Sequence, residues 1–552
     1  MARTSLFDQL RRTLRIAHAA ERAGLPDDVA IAVARDRGLT RRDALRGGAA
    51  AGVALIASSA LGGCAADARG DGAEALGVAR SPLPRAAGSV GIVGAGLAGL
   101  ACAYELQRSG LTATLYEATA RAGGRCYSMG GSFAGPVTFP GQVVERGGEF
   151  IDTLHSTMKG YANALGLTLA DVNKDPGEVL YRVGGQVYSE AVIVEQYRVL
   201  VDAMRDDLRT VGSPTAASFT PAEAALDRLS LREYLRTRNA PPVIRAVIDT
   251  AYTIEYGLDA DQLSCLAFLL FIHADRRSKF APWGVFSDER YHVVGGNEQV
   301  PRGLAGKLPG QIQYGRQLTR IRKLSDGRIE LTLEEGSSSR TVTHDAVVVS
   351  IPFSALRDVT LDASLGLSPT KKRAIDEFRL GTNAKMMIGF SSRPWLGQGC
   401  NGATYSDLTN HQTTWETDAQ AATATRAVLT DYSGGARGAS LDPSKVQAQA
   451  GAFLSDLDKI LPGSSAAATR DAGGKLRVHL EAWPRNPLTK GSYSANQLGY
   501  FTTIGDEEAK PAGNLFFAGE HTSSFYEWQG FMEGAARSGL RAAGEVSTLL
   551  KR

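Results

Sequence analysis

Hydrophobic positions in this chain gather in short runs bounded by glycine and charge. Val90–Val93 is an apolar run rich in β-branched residues, and it predicts a buried strand. Residues 101–107 continue with helix formers, and Gly110 supplies a natural helix stop. Residues 112–116 predict a second strand, closed by Glu117. Strand, helix and strand in this order form a βαβ start, which calls for a parallel sheet. Further buried strands are predicted at 344–352 and 515–518. A β-like run at 380–390 carries a single lysine, Lys385. A Gly-Gly loop precedes a helix within 293–305, and another helix is predicted from Gly530 onward.

The turn after the first strand holds Gly94, Gly96 and Gly99 in G-x-G-x-x-G spacing, with Ala95 and Ala98 between them. Glycine there permits a tight turn and lets a pyrophosphate approach a helix N-terminus. Glu117, followed by Ala118, stands where a carboxylate can accept hydrogen bonds from ribose hydroxyls. With strand, helix and acid all in place, the pattern is that of a dinucleotide site and not merely of a Gly-rich turn. Just beyond it, Gly123-Gly124-Arg125 offers close backbone passage and a cation for phosphate, an early second contact that resembles FAD-binding enzymes. Gly147-Gly148, inside ERGGEFID, is a further glycine pair.

Charge changes the picture by exclusion. Lys+Arg 61 against Asp+Glu 58 leaves a net charge of +3, with no basic block interleaved with aromatics, so nucleic acid is not an expected partner. The five cysteines, Cys64, Cys102, Cys126, Cys265 and Cys400, are widely spaced and suggest neither zinc nor a disulfide framework. No metal site is expected. The 552 residues suffice for two or more domains with full cores. Residues 1–64 read differently. Arg41-Arg42, a mildly apolar run over 47–61 and Leu61-Gly62-Gly63-Cys64 describe a twin-arginine-type signal, and the last four resemble a lipobox with Cys64 as the lipidated residue. An amphipathic N-terminal helix is the other reading of this stretch. Export would leave the protein periplasmic or in the cell envelope. The twin-arginine route carries folded proteins, which suits a chain that encloses its cofactor before export.

The segment 514–546, NLFFAGEHTSSFYEWQGFMEGAARSGLRAAGEV, settles a resemblance. It is similar to the C-terminal flavin-binding segment of the flavin amine oxidases, a family of monoamine, polyamine and L-amino acid oxidases. The resemblance covers nearly all the chain after Ser89. It implies an α/β fold: a Rossmann-like FAD-binding domain from 88–153, 290–360 and 480–552, interleaved with an α+β substrate-binding domain from 154–289 and 361–479. It places Gly519, Glu520, Phe531 and Met532 at the flavin, with Glu520 at the ribityl–phosphate region, and Leu318 at the adenine. Trp483 and Ser492 have the spacing at which covalent relatives carry a tryptophan and a flavin-linked cysteine. A serine there implies non-covalent FAD.

A lysine in an apolar strand ordinarily sits at an edge and runs its stem out to water. The family pattern instead makes Lys385 hold a water against flavin N5. Tyr493 and Phe531 fall on the two walls of the family's aromatic cage, with Trp528 and Glu149 also expected at the substrate. The resemblance implies that a neutral amine or amino acid gives a hydride from its α carbon to the flavin. The resulting imine hydrolyses, and oxygen or a quinone takes the electrons. The stretch Glu149-Phe150-Ile151-Asp152 lacks the arginine that clamps α-carboxylates in the best-known L-amino acid oxidases. It resembles relatives acting on basic L-amino acids, and Glu149 is expected to meet a cationic group. Amino acids and simple amines both stay open, as do a desaturase or protoporphyrinogen-type oxidase, a quinone-linked dehydrogenase, a non-catalytic flavoprotein, and the oligomeric state.

Overall fold

A computed structural model describes residues 88–172, 177–271, 289–417, 425–523 and 528–551. The signal-like region, with Arg41, Arg42 and Cys64, lies outside the described residues. The first strand, Val90–Val93, is the middle of a five-stranded sheet. Across that sheet the order is Leu515–Phe517, Ala346–Val349, Val90–Val93, Ala113–Glu117 and Ile312–Tyr314, all parallel. Three of these strands, Leu515–Phe517, Ala346–Val349 and Val90–Val93, are wholly buried and apolar, as a sheet covered on both faces requires.

The helix Leu97–Arg108 leaves the first strand, and the C-terminal helix Met532–Leu550 packs along it. Their contact is close because both present small residues. A Cβ on Gly539 would lie 2.4 Å from the carbonyl oxygen of Ala98, so no larger residue fits that crossing. The C-terminal helix begins two residues after Gly530, whose φ of +83° makes it a turn residue.

A second sheet of seven strands runs Val478–Ala482, Ala384–Phe390, Ala427–Ser433, Thr413–Glu416, Cys400–Ser406, Glu178–Val183 and Gln186–Tyr188. It is antiparallel except for the pairing of Cys400–Ser406 with Glu178–Val183. Here strand periodicity decides where chemistry goes. Ala384, Met386, Ile388 and Phe390 enter one apolar core. Lys385 alternates with them and therefore faces the other way. The edge position expected of an apolar-strand lysine is not what the register provides. Ala384–Phe390 is an interior strand, with Lys385 opposite Tyr432 on one side and Glu481 on the other. A four-stranded sheet of Ser338–His344, Ile329–Glu335, Gln317–Lys323 and Thr360–Leu361 carries Leu318. No helix among the described residues is long and apolar enough to cross a membrane.

Candidate active site

One long cavity of about 1460 Å³ runs from the C-terminal ends of the parallel strands to the seven-stranded sheet. A single small-molecule site typically has about 300–1000 Å³, so this one has room for a dinucleotide and a second ligand. Gly94, Gly96 and Ala98 line it, as do Glu117, Ala118 and Leu318. So do Gly124, Arg125, Gly147, Gly148 and Glu149. Its far part includes Lys385, Trp483, Tyr493, Gly519, Glu520, Phe531 and Met532. Ala95 and Gly99 do not face it, but they build the turn. The backbone N–H of Ala95 donates to Glu117 Oε2 at 2.9 Å. A Cβ on Gly99 would sit 2.0 Å from the oxygen of Gly94.

These residues fit a flavin dinucleotide. Gly96 caps the helix Leu97–Arg108 without any side-chain hydrogen bond, so its first-turn N–H groups are open to an anion. The space beyond Gly96 is clear: an added Cβ would meet only the Cα of Gly124, at 4.0 Å. Glu117 accepts from Ala95 and from the N–H and hydroxyl of Thr119. A carboxylate has about four acceptor positions, so capacity for a ribose hydroxyl is left.

Arg125, which lines the cavity, is engaged at one of its nitrogens. Its Nη1 donates to Glu520 Oε1 at 2.9 Å and to the carbonyl of Ser492 at 2.6 Å. The cation read as a phosphate contact is thus held by a carboxylate. The reason is burial: Glu520 is almost fully enclosed, and a buried carboxylate needs a partner. Burial raises the Glu520 carboxyl, but the Arg125 charge and the donors Ser494 and Gly530 outweigh it, leaving it below the usual carboxylate range.

At the other end, Lys385 Nζ donates to Glu149 Oε2 at 2.6 Å and to the carbonyl of Gly147 at 3.1 Å. Glu149 Oε1 accepts from Trp415 Nε1 at 3.0 Å and from Thr417 Oγ1 at 2.6 Å. The pair is buried, with side chains 4% and 5% exposed. The cationic group that Glu149 meets is therefore Lys385. Aromatic rings surround the pair. Phe150 and Trp415 have centroids 5.8 Å apart, and Trp415 and Tyr432 5.1 Å. The Tyr432 hydroxyl donates to that of Tyr493 at 2.9 Å, and Tyr493 in turn to the carbonyl of Ile254 at 3.2 Å. Phe531 lines the same cavity and is braced edge-on by His155 at 5.2 Å.

Trp528 is the expected substrate contact that lies elsewhere. It is not among the lining residues; its ring packs edge-on against His155 at 5.3 Å, with the Arg537 guanidinium 5.7 Å from it. Trp528 and Phe531 pack on the same His155 ring, but of the two only Phe531 lines the cavity. His521 is buried on Phe353, with ring centroids 4.5 Å apart, and burial pushes its pKa down to about 3.

Several lining residues carried no signal in the sequence. Trp415 and Tyr432 read as ordinary members of mixed strands. Glu255 ends the amphipathic helix Pro242–Tyr256, and Glu289 follows a stretch without motif. Burial, with the Asp152 charge behind it, pushes Glu255 up to about 8. Burial likewise raises the phenols of Tyr432 and Tyr493, which both feel the charges of Glu255 and Glu289. Cys126 lines the cavity, and burial pushes its thiol up to about 12. Among the described residues, no His/Cys/Asp/Glu group could hold a metal ion.

A model of the family described as flavin containing amine oxidoreductase matches residues 97–547. The flavin-dependent L-tryptophan oxidase RebO of Lentzea aerocolonigenes is 26% identical over 474 residues, covering 82% of this chain and 96% of that protein. An L-amino-acid oxidase of Pseudechis australis is 25% identical over 539 residues, covering 89% of this chain and 95% of the relative. A solved structure of wild-type putrescine oxidase bound to putrescine aligns with a TM-score of 0.70 at 20% identity, covering 84% of this chain and 99% of that one. At that identity the likeness concerns the fold.

Proposed function

The chain belongs to the flavin-containing amine oxidoreductase family and is an FAD-dependent oxidoreductase, and on that premise we propose that it oxidises a primary amine, with or without an α-carboxylate, at the Lys385 end of the cavity. The observation that carries this reading is Lys385 itself. It is an interior-strand lysine turned away from water, with its Nζ tied to the Gly147 carbonyl beside the glycine pair. Two of its three donors are engaged, by Glu149 and Gly147, which leaves one to hold a water at the reacting atoms.

The glycine turn 94–99 would hold the pyrophosphate on the uncapped helix, Glu117 the ribose, and Leu318 the adenine. Glu520, Trp483 and Met532 would meet the flavin end. Ser492 offers no thiol where covalent relatives carry a cysteine, so the cofactor is held non-covalently. FAD, when bound, takes a hydride from the substrate's α carbon and hands the electrons to oxygen or a quinone. The chain's own work is orientation. Phe150, Trp415, Tyr432, Tyr493 and Phe531 enclose a neutral amine and exclude water from it. The imine left behind hydrolyses to a carbonyl compound and ammonia. Glu255 and Glu289 line the same chamber, and their carboxyl groups can accept a hydrogen bond from a second, basic group on the substrate.

The test is product analysis. FAD-loaded protein given a panel of primary amines should release ammonia and peroxide together from at least one. Ammonia without peroxide, with a reduced quinone dye, means the acceptor is a quinone. Neither product from any amine refutes the reading.

We also propose that residues 1–64 direct twin-arginine export to the periplasm or envelope, with Cys64 as a lipid anchor. Changing Arg41 and Arg42 to lysine should retain FAD-loaded protein in the cytoplasm, measured by fractionation. Unchanged export contradicts this.

A further inference from the structure

The lining cations among the described residues share one property: each is closed into an ion pair. Arg125 meets Glu520 at 2.9 Å, Arg146 meets Glu481 at 2.6 Å, Arg316 meets Glu335 at 2.7 Å, and Arg121 meets Glu298 at 3.5 Å. The fifth, Lys385, meets Glu149 at 2.6 Å. Glu149 also opens the stretch Glu149-Phe150-Ile151-Asp152, which carries no arginine.

An L-amino acid carries its carboxylate on the same carbon as its amine. Wherever the amine is bound for oxidation near Lys385, the carboxylate must come to rest within the same few ångströms. Among the described residues the cation there is Lys385, and its charge is already met by the Glu149 carboxylate. The other Glu149 oxygen is fixed by Trp415 and Thr417, so the acid cannot swing away without breaking two hydrogen bonds. An arriving α-carboxylate would be desolvated beside a like charge, with every lining cation among the described residues already paired, which is costly in a buried site. Glu255 and Glu289 line the same chamber and offer an arriving carboxylate no cation. A carboxylate-free amine meets none of this opposition.

We infer that Glu149 is a specificity-determining residue: by holding Lys385 it sets the site against α-carboxylates, so the substrate class is carboxylate-free amines, including diamines, rather than L-amino acids. This deepens the proposed function and rests on it.

The experiment uses the full-length FAD holoenzyme and pairs of compounds that differ only in the carboxylate: cadaverine and L-lysine, agmatine and L-arginine, phenethylamine and L-phenylalanine. Anaerobic flavin reduction should be faster with the carboxylate-free member of each reactive pair, on the order of 100-fold. In Glu149→Gln that ratio should narrow about tenfold, and benzoate, followed by calorimetry, should bind about tenfold tighter than to wild type, because Lys385 is released to meet a carboxylate. Glu149→Asp, which keeps the charge, should restore discrimination and controls for folding. Faster reduction by the amino acids in wild type overturns the inference while amine oxidation stands. Unchanged benzoate affinity and ratio in Glu149→Gln removes Glu149 as the determinant. Failure of every compound to reduce the flavin defeats the broader reading as well.

Discussion

Replacing Lys385 by methionine should slow turnover by about 10²–10³-fold, the range seen when one preorganised donor is removed from a reacting centre. Methionine has nearly the length of lysine and suits an interior strand, so packing is kept. The charge balance is not. Glu149 would remain buried with Trp415 and Thr417 but without its cation. Breaking one side of a buried pair costs about 3–5 kcal/mol, so the variant should also melt earlier. The double variant Lys385→Met with Glu149→Gln separates the two effects. It removes both charges, should regain most of the lost stability, and should stay slow. Stopped-flow rates and thermal midpoints of the three proteins make the comparison. A double variant that recovers full rate would mean Lys385 acts only through the stability of the pair.

Gly147→Ala is the second large effect, and it falls on the cofactor. A Cβ at this position would lie 1.7 Å from the backbone oxygen of Arg125 and 2.8 Å from its carbonyl carbon. Neither atom can rotate away. The turn containing Arg125 would have to shift, and that turn is bridged to the phosphate cradle through the Gly96–Gly123 contact. Overpacking against backbone costs about 1–3 kcal/mol or more. The expected protein is less stable and purifies largely without flavin, with FAD affinity weakened on the order of 100-fold. The ratio of visible to ultraviolet absorbance reads this directly. Full flavin content in Gly147→Ala would mean the glycine pair is not part of the cradle.

Local features were legible before the structure, and distant pairings were not. Val90–Val93, the glycine turn and the helix behind it depend on neighbours in sequence, and the pattern of apolar runs and glycines carried them. The same holds for Leu515–Phe517 and for the C-terminal helix, whose start is offset two residues from Gly530 because that glycine forms the turn. The direction of Lys385 follows from alternation alone, but its depth does not, since an interior strand looks like an edge strand until its partners are known. Glu149 and Lys385 lie 236 residues apart, and Arg125 and Glu520 lie 395 apart. No local pattern announces such pairs. That is why the ion pairs of Arg125 and Glu149 are visible only in the structure, where both residues line the cavity. Trp528 follows the same logic: its place near the flavin segment in sequence does not say whether its ring reaches the cavity wall. Trp415 and Tyr432, which close the aromatic chamber, sit on strands whose composition is unremarkable until their register against Lys385 is known.

The central claim is that an amine delivers electrons to FAD in the Lys385 chamber. The most direct measurement is anaerobic: mix purified, flavin-containing protein with a primary amine such as cadaverine or phenethylamine and follow the visible flavin band. The account predicts that the oxidised band bleaches, that ammonia appears in step with it, and that admitting oxygen restores the band. A spectrum unchanged by every primary amine offered would contradict it.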